Sequence, residues 1–191
     1  MPRLIDPVIA PGSMRGIHQP DLEIDSRSFL RPWALEDVPV VVAAYSDPEI
    51  QRWIPYTFDS AEAVQVIGRW TDTWRNETGA CWAIAKRSDN SAFGRFAFQT
   101  IDQIGGSAEI AYWLLPQSRG EGYASLATSA ISEWAFNELG LHRLELIHSV
   151  HNDASCRVAT KSGFELEGTM KSECLYQDGW HDTHLHARVR Q

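Results

Sequence analysis

Apolar residues recur at two spacings along this chain, and the change between them divides it. Over residues 60–79, Val64, Ile67, Trp70 or Thr71, and Trp74 recur at helical spacing. Ser60 is placed to cap this helix and residues 76–79 to close it. From Ala80 the period shortens to two. Residues 80–86 and 94–100 read as strands joined by a turn over 87–91, Gly105-Gly106 is a second turn, and 108–115 is a third strand. Upstream, 28–31 reads as a first strand ended by Pro32. A helix over 35–45 follows, with Glu36 and Asp37 at its favourable end. Asp47-Pro48 then opens a short helix reaching Trp53.

Downstream, the pattern predicts a helix over 125–139 closed by Gly140 and a strand over 143–150. Asn152 or Asp153 caps a short helix that runs to Lys161 and ends at Gly163. A kinked strand over 164–168 and 171–176 leads through Asp178-Gly179 into a last strand over 180–189. This order, with an antiparallel meander followed by a strand–helix–strand crossover, predicts an α/β chain on a mixed sheet. Residues 1–25, with five prolines and glycines before Pro20 and no period, read as an extended arm. Leu4, Ile5, Val8, Ile9 and Ile17 are its residues able to pack. The remaining unit is 26–191.

Composition narrows the function classes. A length of 191 residues suits one domain with an extension. A net charge of −8 disfavours nucleic acid and suits a cationic partner such as an amine. No apolar run approaches the ~20 residues of a membrane span, and the first seven residues lack a signal peptide's regions, so the cytoplasm is the expected location. Cys81, Cys156 and Cys174 are odd in number and lack C-x-x-C spacing, which reads as free thiols.

The chemistry-bearing stretch is Gln117-Ser118-Arg119-Gly120-Glu121-Gly122-Tyr123-Ala124, a glycine-rich turn between strand and helix. Glycines let backbone approach a ligand, and the unpaired N–H groups of a helix's first turn favour an anion. A pyrophosphate fits there; a plain tight turn is the simpler reading. A dinucleotide-binding turn is disfavoured, because Ser125 stands where a third glycine belongs and an antiparallel meander precedes it.

Gln117-x-x-Gly120-x-Gly122 resembles the Q/R-x-x-G-x-G/A signature of the GNAT acyl-CoA-dependent N-acyltransferases. Residues 108–114 are similar to the preceding strand of that family's RimJ/RimL branch. Residues 151–155 and 161–168 resemble its N-x-x-S and K-x-G-F-x-x-E-G elements, and Asp182 with 187–189 fits its ending. The resemblance covers residues 26–190. It implies a GNAT fold: a mixed, mostly antiparallel, seven-stranded sheet flanked by helices and splayed where acetyl-CoA binds. The strands over 108–115 and 143–150 would be the two sides of the V. The pantetheine arm would pair near Leu114 and Leu115, the pyrophosphate would sit on Arg119 to Ala124, and Asn152 would reach the cofactor from the other side. The implied activity is direct acetyl transfer to a primary amine, either a protein N-terminus or a small molecule such as a polyamine, amino sugar or antibiotic. A homodimer suits the family. The rival is a non-catalytic acyl-CoA-binding module.

Amine acylation needs a base, a donor to the developing oxyanion and a proton for the leaving thiolate. The resemblance suggests Glu109 as base, directly or through water, against a purely structural glutamate. It suggests backbone N–H near Leu114 as oxyanion donor, and Ser155 as acid and cofactor contact, against a serine bonding the helix backbone. The acid that some branch members carry aligns with Cys174, whereas here Glu173 is the neighbour. On a strand, one residue changes the face. Either a bulge returns Glu173 to the site or another base serves. Trp53, Tyr56 and Phe58 are the expected acceptor wall, and Arg119 would meet a CoA phosphate or a surface carboxylate. His184 and His186 would share a strand face, but with His181 and Asp182 they give no ligand pattern, so no metal is expected. His151 reads as a loop residue, Cys156 as a small buried residue without a paired base, and Trp70 and Trp74 as core.

Overall fold

The computed structural model describes residues 4–191. Short turns join β3 (Ala80–Lys86), β4 (Ala92–Asp102) and β5 (Ser107–Leu114) into an antiparallel meander, and β2 (Ser28–Pro32), reached through a long helical connection, pairs antiparallel with β3. The next connection carries a helix, α4 (Tyr123–Trp134), so β6 (Arg143–Ser149) returns parallel to β5. After α5 (Asp153–Lys161), the hairpin of β7 (Glu165–Tyr176) and β8 (Gly179–Val189) adds on through β8. The sheet has eight strands, not seven, because β1 (Leu22–Glu23) pairs with β2 at the far edge; the order is β1-β2-β3-β4-β5-β6-β8-β7.

Between β2 and β3 lie α1 (Val38–Ala44), α2 (Pro48–Gln51) and α3 (Ser60–Arg75). A tight 3-10 turn over Leu35–Asp37 precedes α1. Asp37 binds Arg31 of β2 through both carboxylate oxygens, at 2.7 and 2.9 Å, and so fixes where α1 begins. α3 is capped by Asp59 rather than Ser60: Asp59 accepts from Glu62 N–H while Glu62 accepts from Asp59 N–H. Its buried face is Ala63, Val66, Ile67, Trp70 and Trp74, leaving Val64 exposed, because i+3 and i+4 steps from Ala63 skip position 64.

Two cores flank the sheet. Under α4 and α5 lie Trp82, Phe96, Phe98, Ile110, Leu144 and Leu146; under α1 and α3 lie Trp33, Val41, Tyr45, Trp70 and Trp113. On β5, Ile110, Tyr112 and Leu114 face the first, and Glu109, Ala111 and Trp113 the second. The N-terminal segment joins the first core through Ile9 and Met14, while Leu4, Ile5, Val8 and Ile17 are exposed. Glu77 holds that segment by accepting from Gly12 N–H (2.7 Å) and Met14 N–H (2.8 Å), so the backbone geometry around residue 12 selects which apolar residues point inward.

Candidate functional site

Beyond β5 the chain turns through Pro116–Ser118, where Ser118 N–H donates to Leu115 O and Arg119 N–H to Pro116 O. Gly120 and Gly122 then adopt φ of +84° and +83°, which other residues adopt at a cost. A Cβ at either would meet nothing within 4 Å, so the space before the turn is open. The hydrogen-bond ladder of α4 starts with Leu126 N–H on Gly122 O. The N–H groups of Tyr123, Ala124 and Ser125 therefore stand ahead of the first rung, at the positive end of the helix dipole. Gln117 and Glu121 are exposed, whereas Ser118 is buried in the turn. Arg119 ties the turn to the N-cap of α2: Nε donates to Leu114 O (3.1 Å) and Nη2 to Asp47 Oδ1 (3.2 Å).

This cradle opens onto a notch in the sheet. β5 and β6 pair only from Ser107↔Arg143 to Ile110↔Leu146. Beyond Ile110, β5 still pairs with β4 and β6 with β8, but the two inner edges part. Leu115 N–H is taken by Phe93 O (2.9 Å), which leaves it unable to bind a ligand. Because antiparallel bonding alternates, Leu114 N–H points away from β4, into the notch. A cleft of about 470 Å³ fills the gap, reaching from Trp53 and Ile54 after α2, past Tyr112 and Leu114, to Gly120, Gly122, Asn152 and Ser155. Arg157 and Lys161, one turn apart on α5, add positive charge to its wall.

One contact bridges the notch. Tyr112 OH, on β5, donates to Ser155 Oγ, in the first turn of α5, at 3.1 Å. Burial pushes the Tyr112 phenol up to about 12, the bond to Ser155 offsetting only part of the effect, so the phenol stays protonated. Asn152 caps α5, its Oδ1 accepting from Ser155 N–H at 3.1 Å, which fixes the turn carrying Ser155. Tyr112 was not singled out by the sequence motifs; its signal was the strand alternation that sets it two residues before Leu114.

The carboxylates lie on the other face of the sheet. Glu109 accepts from Gln99 Nε2 (3.0 Å) and pairs across β5–β6 with Glu145, one step before the strands part. Partial burial raises its pKa, and the nearby charges of Glu173 and Glu145 raise it further against the bond from Gln99. In β7 the register jumps from Met170↔Thr183 to Cys174↔His181, so Lys171, Ser172 and Glu173 together oppose Asp182. Ser172 takes φ +47° and donates its N–H to Asp182 Oδ1 (2.8 Å). This bulge turns Glu173 back: it accepts from Thr183 Oγ1 (3.2 Å) and lies close enough to Glu109 to act on its charge.

Of the three aromatic residues expected to form a wall, Trp53 lines the cleft, edge-on to Tyr176 of β7 at 5.8 Å. Phe58 packs on Tyr45 (4.6 Å) beside the second core, and Tyr56 is 63% exposed. A Ser149–His181–Asp178 chain has nucleophile-triad connectivity, with Oγ to Nδ1 at 2.8 Å and Nε2 to Oδ1 at 2.9 Å. Ser149 is fully buried and also accepts from His151 N–H, so the chain holds β6 to the β7–β8 turn and offers no accessible nucleophile.

Comparison with known proteins gives a consistent result. A family model described as "Acetyltransferase (GNAT) domain" matches residues 27–165. "Uncharacterized N-acetyltransferase YoaA" of Bacillus subtilis is 30% identical over 176 residues, covering 90% of this chain and 97% of that protein. "Ribosomal-protein-serine acetyltransferase" of Escherichia coli is 32% identical over 101 residues, covering 53% of this chain and 56% of that one. Among solved structures, "RimL- Ribosomal L7/L12 alpha-N-protein acetyltransferase in complex with Coenzyme A" superposes with a TM-score of 0.83 at 23% identity, covering 90% of this chain and 98% of that chain. Among the described residues, no helix is long and apolar enough to cross a membrane.

Proposed function

The chain belongs to the GNAT acetyltransferase family and is an N-acetyltransferase with relatives in the RimL-like branch; on that premise we propose that it moves an acetyl group from acetyl-CoA directly to a primary amine across the notch. The observation that carries this reading is the pair of parted inner edges of β5 and β6, leading straight to the open N-terminus of α4.

In this reading the N–H groups from Gly120 to Ser125 hold the pyrophosphate, with Arg157 and Lys161 as counter-charges. The extended pantetheine arm lies along the free edge of β5, and Asn152 and the first turn of α5 close its other side. Acetyl-CoA supplies the activated acyl group. Leu114 N–H donates to the thioester oxygen as charge builds there. Glu109, with Glu173 beside it, takes the ammonium proton from the acceptor side, directly or through a water. The amine nitrogen then bonds the carbonyl carbon as the C–S bond breaks, and the proton the nitrogen sheds on becoming an amide balances the one the departing thiolate takes up. Ser155 hydrogen-bonds the departing sulfur, and the hydroxyl of Tyr112 holds Ser155 Oγ as an acceptor so that its own proton points to the cleft. No covalent enzyme intermediate is required once both substrates are held together.

The acidic acceptor face suits a cation. The relative that acts on a ribosomal-protein serine, with a solved neighbour described as modifying an N-terminal serine, supports a protein N-terminus as the acceptor; Trp53 and Ile54 would form one wall of its entry. We place the catalytic unit in residues 26–191, with 1–25 serving as an arm on its core, and the reaction in the cytoplasm.

Thermal unfolding with acetyl-CoA, NADH and ATP tests the donor. At ~100 times Kd a native-state ligand adds about 2.7 kcal/mol, which moves Tm by roughly 5–10 °C for this size. A rise with acetyl-CoA alone is expected, followed by thiol release with an amine or peptide panel. No rise at saturating acetyl-CoA overturns the cradle reading, and a rise without release for any amine favours a binding module.

A further inference from the structure

Under α5, on the face of the sheet opposite Glu109, four side chains from β6, α5 and β8 converge. His148 of β6 and His184 of β8 are cross-strand partners. His186 lies two residues along β8 on the same face, and α5 sets Cys156 over them. One ligand atom from each, three ring nitrogens and a sulfur, all lie within 4.8 Å of one another.

These imidazoles lack the partners that buried polar groups normally have. His148 Nε2, His184 Nδ1 and both ring nitrogens of His186 are buried without a hydrogen bond to any described residue. His148 and His186 are 5% and 2% exposed. The rings stand against one another, His148 stacked on His186 at 5.2 Å and His184 edge-on to His148 at 5.5 Å. His148 Nδ1 lies 2.8 Å from Ser149 O, which fixes Nδ1–H as donor and leaves the Nε2 lone pair facing the cluster. A backbone carbonyl on the far nitrogen is the arrangement that orients a metal-binding histidine.

We propose that His148, His184, His186 and Cys156 form a tetrahedral site for one Zn²⁺. The donor set selects the metal: three imidazoles and a thiolate suit Zn²⁺, while the absence of oxygen ligands from the cluster excludes Mg²⁺ and Ca²⁺. Zn–N of about 2.0–2.1 Å and Zn–S of about 2.3 Å put tetrahedral ligand atoms roughly 3.3–3.6 Å apart, so the cluster closes slightly on binding. Cys156 enters as thiolate, releasing one proton to solvent per ion bound. Four protein ligands leave no open position, so the ion is structural. It ties α5 to β6 and β8, and because Cys156 follows Ser155, it also positions the turn that faces Tyr112.

Metal analysis of the full chain, dialysed against metal-free buffer, is expected to give about one Zn²⁺ per chain. Co²⁺ in its place should show intense tetrahedral d–d bands and a thiolate-to-metal charge-transfer band. Cys156→Ser should lose the charge-transfer band and weaken Zn²⁺ binding at least about tenfold, as should His184→Asn, both checked for folding by circular dichroism. His151→Ala, outside the cluster, should bind as wild type. Chelation should lower the Tm of the wild type by more than that of Cys156→Ser. A folded wild type that takes up no Zn²⁺ or Co²⁺, a Co²⁺ spectrum without the thiolate band, or unchanged Zn²⁺ affinity in Cys156→Ser would each overturn the site.

Discussion

Tyr112 and Ser155 meet across a gap that the sheet itself leaves open, and the direction of their bond decides what each can do. Ser155 Oγ accepts from the phenol, which leaves its own hydrogen free; in the proposed reaction that hydrogen would meet the leaving sulfur. Ser155→Ala is expected to lower kcat by about 10–100-fold, toward the lower end of general acid contributions, with the acetyl-CoA KM little changed; steady-state kinetics separates the two. Glu109 makes a second residue-level prediction. Its pKa is raised by burial and neighbouring charge. An acid raised in the folded state costs stability as pH climbs through that pKa, because the unfolded chain ionises more readily. Glu109→Gln should therefore keep or raise Tm at neutral pH while losing activity, and the acidic limb of the pH–rate profile should disappear. A purely structural Glu109 would give the opposite pair of results. Both residues were legible through the motifs that hold them. The direction of Glu173 was not, because the bulge that turns it rests on Ser172 adopting positive φ against Asp182, a pairing 10 residues apart in sequence.

At the scale of elements, the cradle works because two glycines bend the chain before α4 begins. Gly122→Ala forces a Cβ into the left-handed region at the N-cap, at about 1–2 kcal/mol. Tm should fall by about 2–8 °C, and the acetyl-CoA KM should rise as the N–H groups of the first turn are re-aimed; calorimetry and kinetics on one sample check both. This element was readable from sequence, since strand, glycine turn and helix announce themselves locally. Elements whose ends depend on partners were less so. Asp59 displaced Ser60 as cap because Glu62 completes a reciprocal pair with it. Tyr56 and Phe58 diverged from Trp53 because the loop after α2 sends one to solvent and one to Tyr45. Periodicity says nothing about a loop's direction.

At the scale of the whole molecule, the segment before β1 belongs to the fold's stability. Removing residues 1–17 takes Ile9 and Met14 out of the first core, a loss of about 1.5–3 kcal/mol each. Tm should fall by about 10 °C or more. Glu77 holds the segment through backbone bonds that, together with Arg15, outweigh burial and lower its pKa. The sign is that of a depressed carboxylate: its stabilisation is present above the unfolded value of 4.5 and is lost as pH falls through the lower folded one. Wild type should thus lose more stability than Glu77→Gln between neutral pH and about pH 3, followed by chemical denaturation. Ile9 was legible as a packing residue of this irregular, proline-rich stretch, but Met14 and the anchor were not, because the residue that organises the segment sits more than 60 positions away.

The parted strands carry a last consequence. β1 to β5 form one plate and β6 to β8 another, and between the strands that join them only four residue pairs are in register. A thioester arm lying along β5 would act as a removable ninth strand. Amides on both plates should then exchange with solvent as two loosely coupled units in the free protein and as one when it is loaded. Each turnover would then withdraw and replace the piece that couples them, so the enzyme's resistance to local opening should follow its state of ligation through the cycle.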